Sequence, residues 1–151
     1  MVDPVPRSWT PALLSVTRIV AGFLFIAHGS QKLLGFPAAM PGGPIEVQSL
    51  IGVAGVLELI GGTLLLLGLL TRPIAFLLSG EMAFAYFLMH SPKGFWPLNN
   101  GGELAALYCF LFLFFAAAGG GPLSVDALAA ARRMRGHRTR LETAHATSRR
   151  L

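Results

Sequence analysis

Charge is scarce in this chain, and so is anything that could staple it. Only 13% of its 151 residues are Asp, Glu, Lys or Arg, about half the share usual in soluble domains. It has one cysteine, Cys109, so no disulfide framework and no CxxC redox pair can form within it. Cys109 reads as a small buried residue. The apolar stretches offer no HExxH or ExxH pair and the chain no cysteine set, so neither a metal centre nor haem or iron–sulfur ligation is expected. No low-complexity segment or repeat of 20–50 residues appears. What fills the chain is apolar: 54% of it is hydrophobic, more than one core of this size could hide from water.

The net charge of +5 belongs to the tail. Residues 132–151 hold seven of the twelve Lys and Arg, against Glu142 alone. Arg132, Arg133, Arg135, Arg138 and Arg140 lead this run. No aromatic side chain is interleaved with them, so nucleic acid is not the expected partner. Beside a membrane domain such a run sets orientation and attracts anionic lipid.

Four apolar spans are expected, at about 12–34, 47–70, 73–90 and 103–118, separated by Gly- and Pro-rich breaks. Phe110-Leu111-Phe112-Leu113-Phe114-Phe115 and Leu64-Leu65-Leu66-Leu67 are apolar all round, which no water-facing helix can be. The first span reads as a retained helix and not a cleaved signal. The fold class is therefore all-α: an integral membrane four-helix bundle with both termini cytoplasmic. Residues 1–11 form an N-terminal segment, 12–123 the membrane domain and 124–151 the basic tail. Arg7, Arg72 and the arginine run share the inner side, while Lys93 lies outside, in agreement with the positive-inside rule. Ser124 is expected to cap a short tail helix ending near Met134.

Against that background the ionisable residues inside the spans stand out, since a charge in hydrocarbon costs roughly 2.5–3.5 kcal/mol or more. Arg18, His28 and Lys32 fall on the first helix, with Gln31 beside them. Glu58 sits in a Gly52, Gly55, Gly61, Gly62 seam near mid-depth, where small residues let helices approach closely. Glu81 lies on the third helix. His90, nine positions on, would face the other way on a straight helix. Glu103 opens the fourth helix, where the helix dipole favours a carboxylate. Two clusters are expected: an outer one of His28, Gln31, Lys32, His90, Asn100 and Glu103, and a deeper one in which Arg18 pairs with Glu58 or Glu81. His28, Gln31, Lys32, Glu58, Glu81, His90 and Glu103 are the candidates for ligand binding or proton relay.

These residues in this order resemble the DoxX family of small four-helix bacterial membrane proteins. The resemblance rests on Arg18-Ile-Val-Ala-Gly, His28-Gly29-Ser-Gln31-Lys32-Leu, Gly55-Val-Leu-Glu58-Leu-Ile-Gly61-Gly62, Leu67-Gly68-Leu69-Leu70-Thr71-Arg72, Glu103 and Gly121-Pro122-Leu-Ser124-Val-Asp126. It implies a multi-pass protein of the bacterial cytoplasmic (inner) membrane. The related DoxD-type proteins are membrane subunits of a thiosulfate:quinone oxidoreductase. The resemblance thus implies a redox context, with a quinone as the ligand class and a redox partner subunit or a second copy of the chain as partners. It brings no established catalytic set, so at most a membrane subunit of a quinone-linked oxidoreductase is expected. A non-enzymatic scaffold subunit and a small proton-coupled transporter are the competing readings.

Overall fold

The computed structural model describes residues 6–43 and 45–148, with side chains described through residue 137. All regular structure among these residues is helical. Helix α1 spans Thr10–Leu34, with Pro11 in its first turn, where a missing N–H costs nothing. It stops at Gly35, whose φ of 68° an L residue rarely adopts. Helix α2 spans Leu50–Leu67. The Ser49 hydroxyl accepts a 3.0 Å bond from Gly52 N at its start, and Gly68 ends it in the left-handed region.

Helix α3 spans Thr71–Ala85 and runs on through a π turn, Tyr86–His90, and a 3-10 turn, Ser91–Lys93. A four-residue helix α4, Pro97–Asn100, interrupts what the sequence suggests is plain loop. Helix α5 spans Glu103–Ala118. Helix α6 spans Val125–Ser148 and is capped by Ser124, whose hydroxyl accepts a 3.1 Å bond from Ala127 N. It is far longer than the short tail helix expected. Arg132, Arg133 and Arg135 are exposed on it, whereas Arg138 and Arg140 lie outside the residues whose side chains are described.

Helix α1 packs along α2, α3 along α5, and α2 joins the two pairs through α3. The core they enclose is small: Phe25, Leu65, Leu78, Phe112 and Phe115 are fully buried. The outward side chains are as apolar as the inward ones. Phe23, Phe76, Phe87 and Phe110 are all more than half exposed. In water, so large an apolar surface would drive association; in lipid it is the expected exterior. Three stretches, Arg7–Leu34, Leu50–Leu67 and Thr71–Lys93, are long and apolar enough to cross a bilayer. Helix α5 is apolar but shorter, at 16 residues.

Candidate functional site

The register of α1 against α2 decides which charges meet. Both helices carry glycines seven residues apart. A Cβ on Gly22 would lie 2.6 Å from Leu66 N and 2.8 Å from Gly62 O, and one on Gly29 would lie 2.7 Å from Gly55 O. The antiparallel backbones therefore touch at two levels, Gly22 with Gly62 and Gly29 with Gly55. The equal spacing in the two segments is the sequence signal that could have given this register.

In this register Glu58 meets Lys32. Lys32 Nζ donates a 2.6 Å bond to Glu58 Oε1, and the Glu58 side chain is only 3% exposed. The expected pair between Arg18 and Glu58 does not form, nor does one between Arg18 and Glu81. Arg18 sits about four helical turns before Lys32, level with the last turn of α2. There it is fully buried and donates to backbone carbonyls alone: Leu65 O, Leu66 O at 2.6 Å, Gly120 O at 2.9 Å and Leu123 O at 2.5 Å. The α2 carbonyls belong to its last turn, where a helix end lacks i+4 donors; Leu65 O also accepts from Gly68 N at 3.0 Å. Arg18 is thus a clasp tying the end of α2 to the loop between α5 and α6.

A second residue completes the clasp, one whose long-range role sequence reasoning missed. The Asp126 carboxylate accepts from Leu70 N at 2.9 Å and Thr71 N at 2.8 Å, capping α3 from outside. The segments Gly68–Arg72 and Gly121–Asp126, two of those that carry the family resemblance, meet at this point.

The polar pocket lies further along α1, toward its C-terminal end. A cavity of about 240 Å³ is lined by His28, Lys32, Glu58, His90 and Tyr108, with Phe25 among its apolar walls. Phe25, Tyr108 and His28 form an aromatic corner, with ring centroids 5.4–6.4 Å apart. His90 reaches the pocket because the π turn unwinds the end of α3. It therefore lines a cavity together with Glu81, where a straight helix would have set the two on opposite faces. His90 Nδ1 lies 3.1 Å from Asn100 O. A carbonyl only accepts, so Nδ1 carries a proton here and, in the neutral ring, Nε2 is the acceptor. Glu103 is not part of the pocket: it is exposed in the first turn of α5. Gln31 is half-buried on α1 and lines none of these walls.

The DoxX family model matches residues 13–91. An uncharacterized protein of Haemophilus influenzae is 49% identical over 124 residues, covering 80% of this chain and 92% of its own. The chain belongs to the DoxX family. No solved structure matches it. The matched region of this DoxX member holds Arg18, His28, Lys32, Glu58, Glu81 and His90, while Tyr108 and the Asp126 half of the clasp lie beyond it.

Proposed function

We propose that this chain is a multi-pass protein of the bacterial cytoplasmic membrane that holds a quinone head group in the polar cavity, serving as the membrane subunit of a quinone-linked redox system. The cavity itself carries this reading: an ion pair, two histidines and a tyrosine converge on a space walled by aromatic rings. Its volume of about 240 Å³ suits a single ring, since whole drug-sized ligands take roughly 300–1,000 Å³. An isoprenoid tail would leave between the helices into lipid.

A quinone supplies two-electron chemistry, and the chain's part is to bind the ring and manage protons. Lys32 spends one N–H on Glu58 and has two more to offer a ring carbonyl. His28, one helical turn before Lys32 on α1 and beside Tyr108, is placed to hold the second carbonyl. His90 Nε2 is placed to accept a proton from a reduced ring. Electrons come from a partner subunit.

Equilibrium titration of the purified protein with a short-chain quinone tests the reading. A hydrogen bond from a charged group is worth about 1.5–3 kcal/mol, so removing the two ring-holding donors in His28→Ala/Lys32→Met should weaken binding by roughly tenfold or more. Wild-type-like affinity in that variant, or no saturable binding by the wild type, defeats it.

The Arg18 clasp favours a second reading, a scaffold subunit whose buried charges only fix the packing. That reading expects these variants to lose abundance without any quinone effect.

The same proposal takes α5 as a fourth crossing and divides the chain at 12–123, with both termini and the arginine run on the cytoplasmic side against anionic lipid.

A further inference from the structure

Glu81 is left over by the pocket just described. Both of its carboxyl oxygens are buried, and neither has a hydrogen-bond partner. It lies where two other cavities meet. One is a groove of about 580 Å³ between α2 and α3 with apolar walls, among them Leu57, Phe76 and Phe84. The other, about 310 Å³, is shared with Lys32, His90 and Lys93. Lys32 and His90 also line the polar cavity, so Glu81 is one wall removed from Glu58. Glu58 has a spare oxygen, Oε2, which is likewise buried and without a partner.

The charges that reach Glu81 are Glu58 from α2 and Lys32 from α1. They are already paired with each other and act on Glu81 with opposite sign. His90 and Lys93, on the continuation of α3, line the outer cavity, and α5 brings no charged side chain to either cavity that Glu81 lines. An ionised carboxylate with no hydrogen bond and no counter-ion of its own bears the full cost of leaving water. The uncharged acid is the form this setting accommodates, and it keeps one O–H to give.

We propose that Glu81 is a resident carboxylic acid that relays protons from the outer end of the bundle to the Lys32–Glu58 pair. The Glu81 O–H bond breaks as an O–H bond forms on Glu58 Oε2, directly or through one bridging water. Lys32, no longer facing an anion, turns its N–H groups to the polar cavity. The Glu81 carboxylate then regains a proton from water at the His90 and Lys93 mouth. One proton has moved and no electron has. The proposal rests on the quinone reading only for the proton's destination.

Carbodiimides label carboxylic acids in their protonated form. The full chain, reconstituted in phosphatidylethanolamine/phosphatidylglycerol vesicles without quinone, is treated with lipid-soluble dicyclohexylcarbodiimide across a pH series and mapped by mass spectrometry. Glu81 should carry the adduct near neutral pH, a water-soluble carbodiimide should leave it unmodified, and the adduct should vanish in Glu81→Gln. Removing the neighbouring anion in Glu58→Gln exposes Glu81 to an unpaired Lys32, so labelling should fall off about one pH unit lower or more. The doubly neutral Lys32→Met/Glu58→Gln variant should move the profile back toward its wild-type position and serves as the folding control. An unlabelled Glu81, an unshifted Glu58→Gln profile or any other ordering of the three profiles overturns the proposal. Because no quinone is present, failure of the quinone titration leaves this result standing, and the converse holds too.

Discussion

At the scale of single residues, Asp126 shows how much one carboxylate can organise. Leu70, just before α3, sits at φ 51°, a conformation costing an L residue about 1–2 kcal/mol. The chain turns there within four residues, from the last residue of α2 to the first of α3. The two bonds from Asp126 hold that turn. Burial works to raise the Asp126 pKa, but hydrogen bonds from Thr71 and Leu70 and the nearby Arg18 charge outweigh it, so the carboxyl titrates below its usual range. A depressed acid contributes stability that is present above its unfolded value, about 3.9, and is lost as pH falls through the folded one. Unfolding in detergent, followed by circular dichroism between pH 7 and pH 3, should therefore show a loss of stability at the acid end. Asp126→Asn should start less stable at pH 7 and lose less on acidification. An unchanged pH slope in that variant would show that the cap is idle. None of this was visible from residue identities: Asp126 reads as an ordinary first-turn acid until its partners, more than fifty residues earlier, are known.

At the scale of elements, the glycines do what no side chain could. Gly29→Ala would put a Cβ 2.7 Å from Gly55 O and 2.9 Å from Leu59 Cα, both backbone atoms that cannot turn aside. Forcing α1 and α2 apart should cost roughly 1–3 kcal/mol, the usual range for overpacking, and should carry Lys32 away from Glu58. Gly80, exposed on α3 where it lines the open groove toward α2, has nothing within 4 Å of the same added atom. Gly80→Ala should therefore gain up to about 1 kcal/mol from helix propensity alone. Thermal unfolding of the two variants in one detergent should move in opposite directions, and a Gly29→Ala protein as stable as wild type would mean that the helices do not pack this closely. The apolar helices and the glycine seam were legible in composition and period. The partner of Glu58 needed a further signal, because it depends on how two helices slide past one another, which only the matched seven-residue glycine spacing encodes. Arg18 and Lys32 are equally good cations on paper. Only the level of contact set by Gly22 with Gly62 and Gly29 with Gly55 gives the carboxylate to one and the helix-end carbonyls to the other. The π turn that brings His90 round was hidden for a similar reason: a straight helix was the only ruler the sequence offered.

For the whole molecule, the number of crossings turns on α5. At 1.5 Å per residue its 16 residues rise about 24 Å, short of a bilayer core of about 30 Å. Yet α5 packs along the whole bundle side of α3, and its outward face, with Leu107 64%, Phe110 70% and Phe114 55% exposed, is as apolar as any other. A helix that ended in mid-membrane would leave its last carbonyls in hydrocarbon, at several kcal/mol each. Here the chain beyond α5 instead enters the Arg18 and Asp126 clasp, beside the start of α1 and the α2–α3 turn. The end of α5 thus lies at the same end of the bundle as the start of α1, as the proposed four crossings require. The charges agree: Arg7, Arg72 and the arginine run fall on that side, and Lys93 falls on the other. Reporter fusions decide the matter. A reporter active only in the cytoplasm should work when fused before Met1, and again when fused after Leu151. One active only after export should work when inserted between Pro41 and Gly43, in the loop joining α1 to α2. If the two ends of the chain report opposite sides, α5 does not cross; the arginine run would then face outward, against the charge rule that orients every other segment.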